Sequence, residues 1–172
     1  MTNKTKKGFT FIETILYIAI SSVVVGVLFA YGWNMVSART KAATMRDTAA
    51  NARLIMLRLN NEIRMATDID KNNSVFEGEN GKISLTTPQG KIMIESIGDR
   101  ISIARGENSP QFLSGENVRV RNFQLSKQEN DAGKVQYVGF SFTVEAYYPE
   151  ALNSYEYNYS LPINSGAEVR SQ

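Results

Sequence analysis

The sequence predicts an α+β fold, with one long N-terminal helix followed by an antiparallel β-sheet head. Three observations carry that prediction. The long, mostly apolar stretch Phe9–Trp33 carries no charge except Glu13. No proline occurs before Pro88, so no backbone residue forbids a continuous helix to about Ala66. From Lys82 onward the hydrophobic period falls to two, with turn signals between the alternating runs. A helix first and strands afterwards is the order of an α+β chain.

Residues 1–8 are polar, carry Lys4, Lys6 and Lys7, and read as a leader too short to fold. Residues 9–33 follow as a transmembrane helix. At 1.5 Å per residue this run is roughly 37 Å long, enough to cross a hydrocarbon core of about 30 Å with some tilt. A carboxylate at the bilayer centre costs about 2.5 kcal/mol or more, so Glu13 is a candidate functional residue that needs a partner. The lysines on the short N-terminal side place that end in the cytoplasm. Arg39 and Lys41 follow the span, but a long C-terminal part is translocated largely regardless of charge, so the head is expected outside.

Two simpler identities compete for this stretch. A secretory signal peptide would use Val36-Ser37-Ala38 as its cleavage site, but its apolar region is normally about 7–15 residues and carries no acid. An ordinary signal anchor explains the length and the lysines but neither Glu13 nor the Gly8-Phe9 junction.

Residues 34–66 continue the helix in amphipathic form. Ala49, Ala52, Ile55, Met56, Leu59 and Ile63 recur at three- and four-residue steps, with Arg53, Arg58, Asn60 and Arg64 among the polar positions. That stripe is expected to pack on the chain's own sheet, leaving the N-terminal half as an anchor. Asp68-Ile69-Asp70-Lys71-Asn72-Asn73 then ends the helix in turn-forming residues. Asp68, Asp70, Asn72 and Glu79 also match positions 1, 3, 5 and 12 of a calcium loop. Asn73 replaces its glycine and no helix follows, so a helix stop and loop is preferred and no metal site is assigned.

The head, residues 67–172, is read as six or seven strands. Lys82–Thr87 and Lys91–Ser96 form a hairpin around Thr87-Pro88-Gln89-Gly90, and Arg100–Arg105 follows Gly98. A loop holds Gly106, Pro110 and Gly115. Asn117–Ser126 and Lys134–Tyr147 pair around Lys127–Gly133. Ser154–Pro162 is a last strand alternating Tyr155, Tyr157, Tyr159 and Leu161, and Asn164–Gln172 is a loose tail.

Composition narrows function. The chain has no cysteine and no histidine, which removes thiol nucleophiles, the commonest general base and most zinc ligands. Gly78-Glu79-Asn80-Gly81-Lys82 lacks the spacing of a phosphate-binding loop. These absences argue against an enzyme, and no cofactor is expected. The net charge of +2 is uneven. Residues 34–64 carry Arg39, Lys41, Arg46, Arg53, Arg58 and Arg64 against Asp47 and Glu62, a balance of +4. Residues 65–172 hold ten basic and fourteen acidic side chains, a balance of −4. A basic stalk and an acidic head attract one another between staggered subunits, although exposed pairs are individually weak.

Lys6-Lys7-Gly8-Phe9-Thr10-Phe11-Ile12-Glu13, followed by the apolar run, resembles the processing motif of type IV pilins and pseudopilins over residues 4–33. The resemblance implies cleavage after Gly8 by a prepilin peptidase at a site flanked by the basic residues Lys6 and Lys7, and N-methylation of Phe9. It also implies assembly with other pilin or pseudopilin subunits on an inner-membrane platform, and a long first helix bearing a small antiparallel sheet. Phe9 and Glu13 lie i and i+4, so on a helix they share a face. Cleavage would create an amine at Phe9 that Glu13 of a neighbouring subunit neutralises at low dielectric.

One departure is Ala30, where many major pilins carry a helix-breaking proline. Ile101-Ser102-Ile103-Ala104-Arg105, Val118–Phe123 and Val138–Val144 are similar to strands of larger minor pilins and of the J-type minor pseudopilin of type II secretion. A minor pilin-like subunit is therefore expected, in membrane lipid and then in a surface or periplasmic filament. A type II secretion or competence pseudopilin and a non-polymerising membrane-anchored binding protein are the alternatives. Arg119 and Arg121 share one sheet face, but without a basic cluster they do not predict nucleic-acid binding. The tyrosines at 147, 148, 155, 157 and 159 are a second surface candidate, half of them expected in the core.

Overall fold

The computed structural model describes residues 8–78, 80–151 and 154–170. Among these described residues, helix α1 (Phe11–Met65) is followed by eight strands: β1 (Asp68–Ile69), β2 (Lys82–Thr87), β3 (Gly90–Ile97), β4 (Arg100–Arg105), β5 (Gln111–Phe112), β6 (Val118–Glu129), β7 (Val135–Ala146) and β8 (Ser160–Glu168). The chain divides into two compact units, Met1–Thr40 and Lys41–Gln172.

Within the first unit, the helical residues from Phe11 to Val36 expose nearly all their apolar side chains. The helix is long and apolar enough there to cross a membrane, and no residue of its most apolar window is buried. An apolar surface of this extent is not left to water by a stable protein. It needs lipid or another helix.

The second unit has an ordinary core. From its side of α1, Thr44, Thr48, Ala52, Ile55, Leu59, Glu62 and Ile63 are buried. Their steps of three and four keep them on one face. Ala49 and Met56, expected on this stripe, sit at its half-buried edges. Facing it are the alternate residues Ile83, Leu85, Ile92, Ile94, Ile101 and Ile103 of β2–β4, and Val118, Val120, Leu125, Val138, Phe140 and Val144 of β6–β7.

The strands make two antiparallel sheets rather than the single sheet expected. One is a meander in the order β1-β2-β3-β4-β5, the other runs β6-β7-β8. The β2–β3 hairpin falls as expected, with Thr87 paired to Gly90 across Pro88-Gln89. Two strands of two residues were not expected. β1 pairs Asp68 and Ile69 with Thr86 and Leu85, where the sequence reads as loop. β5 pairs Gln111 and Phe112 with Ile103 and Ser102.

The sheets join at a β-bulge. The β6–β7 register shifts between Arg121 and Gln124, where Asn122 has φ +53°. Asparagine tolerates this left-handed conformation better than most residues. The bulge turns Phe123 into the core and aims its carbonyl at Gly81, whose N–H donates at 2.8 Å. Gly81 fits because a Cβ there would meet the Phe123 carbonyl oxygen at 3.0 Å.

The C-terminus differs most from expectation. Tyr155–Tyr157 form a 3-10 turn, and the last strand runs Ser160–Glu168 through the residues read as a loose tail. Tyrosine alternation suggested a strand six residues early. What places β8 is the fit of Ala167 and Val169, both buried, beside β7. Pro162 is tolerated because β8 is an edge strand.

Candidate functional site

Gly8, Phe9 and Thr10 precede the helix and are exposed. A side chain at Gly8 would meet nothing within 4 Å, so the described residues do not crowd this position. Thr10 begins the helix: its carbonyl accepts from the N–H groups of Glu13 at 3.1 Å and Thr14 at 3.2 Å. The Thr10 hydroxyl oxygen lies 3.4 Å from the Glu13 N–H, the N-cap position of a Thr-x-x-Glu box.

This start corrects one expectation. The helix begins at Phe11 instead of Phe9, because Thr10 takes the capping role, so Phe9 lies outside the helix and does not share a helical face with Glu13. Its ring instead meets Tyr17 edge-on, with centroids 5.8 Å apart. Glu13 stands in the first turn, half-buried, where the helix dipole favours an anion. No cation pairs with it among the described residues. The leader lysines Lys4, Lys6 and Lys7 lie outside the described residues. Further along, Val25, Leu28, Phe29, Trp33 and Val36 rim a shallow apolar depression at Gly32.

The other sequence candidates are occupied in other ways. Asp68 is drawn into β1. The Asp70 carboxylate accepts from the Asn73 amide at 2.8 Å and lies 3.8 Å from Lys91. The Asn73 hydrogen bond, ahead of Lys91, holds Asp70 below the usual carboxylate range. Glu79 lies outside the described residues, and among those described no acidic cluster is shaped for a metal ion.

Arg119 and Arg121 both pair with Asp99, at 3.3 and 2.8 Å, and Arg121 also reaches Glu145 at 3.7 Å. The tyrosines are engaged locally. Arg119 lies over Tyr147, Lys41 over Tyr155, and the Tyr148 and Tyr157 rings are 4.6 Å apart. Burial, then the charge of Asp47, pushes the Tyr148 phenol up.

One feature was missed in the sequence. Glu62 is 1 % exposed, pairs with Arg105 of β4 through one oxygen, and leaves Oε2 unpartnered. The available signal was its place between Leu59 and Ile63 on the apolar stripe. Counting it as one of the stalk's charges hid it.

Residues 3–29 match the family model of the prokaryotic N-terminal methylation motif. No curated protein and no solved structure matches the chain. The motif implies processing by a prepilin peptidase and assembly with pilin-like subunits in general.

Proposed function

Starting from a chain that carries the type IV pilin-like methylation motif, we propose that it is a minor pilin-like structural subunit, cut between Gly8 and Phe9 and N-methylated at Phe9. It joins other subunits through the exposed apolar part of α1. One observation carries this reading: an exposed apolar helical surface begins with a capped turn holding Glu13, an acid with no ion pair among the described residues, directly after the exposed residues Gly8 and Phe9. The role is structural rather than catalytic.

The physical sequence of events is simple. Hydrolysis of the Gly8–Phe9 bond removes the leader lysines and leaves a cationic amine two residues before the helix. Net charge falls from +2 to −1 as Lys4, Lys6 and Lys7 leave. In a bundle the amine of one subunit meets the Glu13 carboxylate of another. At low dielectric, removing one member of such a pair costs about 3–5 kcal/mol. The pair therefore fixes the axial register of neighbours, while apolar packing supplies adhesion.

The head, carried outside the cytoplasmic membrane, is the part displayed by the filament. Type II secretion and competence pseudopilins would use the same N-terminal chemistry, so they fall within this reading as alternative filaments.

Glu13→Ala tests the assembly step. Processing should persist, because the cut bond is unchanged, while co-purification with neighbouring subunits is lost. Normal incorporation of Glu13→Ala would refute the register role and favour an anchored protein that does not polymerise.

A further inference from the structure

The outer face of the β6–β8 sheet divides at the bulge. On one side Arg119 and Arg121 pair with Asp99, and Arg121 also with Glu145. On the other side the register lines up uncharged residues in two adjacent rows, Gln124–Ser141–Asn164 and Ser126–Gly139–Gly166. Alternation turns both rows away from the core, because the neighbouring Leu125, Phe140 and Ala167 are buried on the other face. The amides of Gln124 and Asn164 and the hydroxyls of Ser126, Ser141 and Tyr137 make no hydrogen bond to any described residue.

These side chains border a groove of about 560 Å³, within the size range of small-molecule sites. Gly139 is its floor: a Cβ there would meet the Ser126 hydroxyl oxygen at 2.5 Å. Gly166, beside it on β8, lets Tyr137 lie across the strand, since a Cβ would collide with the phenol. One wall is therefore an aromatic ring, and the other is a row of two amides and a hydroxyl. Glu77 stands at the β6 end and is the one charged residue lining the groove among those described. Its backbone has φ +63°, a conformation uncommon outside glycine, and its N–H is held by the Leu125 carbonyl at 2.8 Å. Such a conformation persists only where the surroundings impose it.

We propose that this groove binds an uncharged saccharide. A sugar hydroxyl both donates and accepts, and the amides and hydroxyls of Gln124, Ser126, Ser141 and Asn164 supply both functions. The apolar C–H face of a pyranose suits the Tyr137 ring, an apolar body with a polar tip. The Glu77 carboxylate, acceptor-only when ionised, can take two neighbouring sugar hydroxyls. An anionic ligand would find no cation among the described lining residues to offset its desolvation. An extended peptide fits less well, because strand addition needs a sheet edge and this groove lies on a sheet face. The inference concerns the head alone and does not rest on the filament reading.

The test uses the full-length chain, fluorescently labelled, in a detergent without a sugar headgroup. It is applied to an array of neutral glucose, galactose and N-acetylhexosamine oligosaccharides beside sialylated and sulfated ones. The strongest neutral binder is then titrated as a free tetrasaccharide. Neutral chains should be retained over acidic ones, and Q124A/N164A should weaken the titrated affinity on the order of tenfold, as the loss of two hydrogen-bonding amides implies. Gln128→Ala, exposed on the same sheet face but outside the groove, should leave the affinity unchanged. Circular dichroism checks that the substitutions leave the fold intact, and Ser141→Ala, with a loss of several-fold expected, decides the case if the double variant misfolds.

Retention of no neutral saccharide, a preference for the acidic ones, or an affinity indifferent to the groove substitutions would overturn the inference. An equal loss in Gln128→Ala would do so too, because the contact would then lie elsewhere on the sheet.

Discussion

Arg105→Ala should destabilise the second unit far more than its surface position suggests. Arg105 is more than half exposed, with 55 % of its side chain open, yet among the described residues its guanidinium is the one cation paired with a carboxylate that is 1 % exposed. Losing one partner of a buried pair strands the other charge, at about 3–5 kcal/mol. Because Arg105 keeps partial contact with water, the lower end applies, about 3 kcal/mol. For a unit of this size that corresponds to roughly 10 °C in melting temperature.

Glu62→Leu behaves differently. It removes the buried charge and the orphaned Oε2 together and offers an apolar side chain to the Leu59–Ile63 stripe. Replacing a buried ionic group in this way is often neutral or stabilising. Arg105→Ala made on top of Glu62→Leu should then add well under 1 kcal/mol, the change expected of a surface substitution. Thermal melts of the four proteins followed by circular dichroism, under matched detergent, give the coupling energy directly. A melting temperature within about 1 °C of the parent for Arg105→Ala, or an equal loss from Glu62→Leu, would refute the reasoning.

Other outcomes follow from the same packing. Leu59→Ala, at a position 1 % exposed, should cost about 3 kcal/mol, whereas Leu57→Ala on the opposite face should change the melting temperature by no more than about 2 °C. A Cβ at Gly166 would lie 2.3 Å from the Tyr137 hydroxyl and 2.7 Å from the Val138 carbonyl, so Gly166→Ala should destabilise by about 2 kcal/mol, read by denaturant unfolding. Glu129, hydrogen-bonded by Lys127 first and Lys71 second, is held down to about 2 from 4.5. Its folded value is depressed, so its contribution to stability is complete above about 4.5 and is lost as pH falls toward 2. Carboxyl NMR titration should place its midpoint near the lower value, and Lys71→Ala should move that midpoint back toward 4.5.

Local signals in the sequence were reliable where one physical cause dominated. The absence of proline before Pro88 and the amphipathic stripe located α1 to within a few residues of Phe11–Met65. Pro88-Gln89 between alternating runs located the β2–β3 hairpin. The pattern Val118-x-Val120-x-x-Phe123 already contained the bulge, since three residues separate Val120 from Phe123 where a regular strand needs two or four. Legibility failed where tertiary packing decided. Two-residue strands such as β1 and β5 have no periodicity, because each exists only by pairing with a neighbour. β8 was misplaced because the tyrosine alternation was a stronger local pattern than the sparse apolar positions that hold Ala167 and Val169 against β7. Two sheets were taken for one because the division depends on a backbone turn at Asn122. At the functional end, Gly8 and Glu13 were legible as a spacing, while Thr10 acting as the cap, which displaces Phe9 from the helix, appears only in the hydrogen bonds of the first turn.

The most direct measurement is the intact mass and N-terminal sequence of the protein recovered from membranes, with and without an active prepilin peptidase. A chain that begins at N-methylated Phe9, only when the peptidase is present, is the expected result. An uncut Met1 chain beside an active peptidase, or a chain that begins at Arg39, would contradict it and remove the basis for Glu13 as an assembly residue.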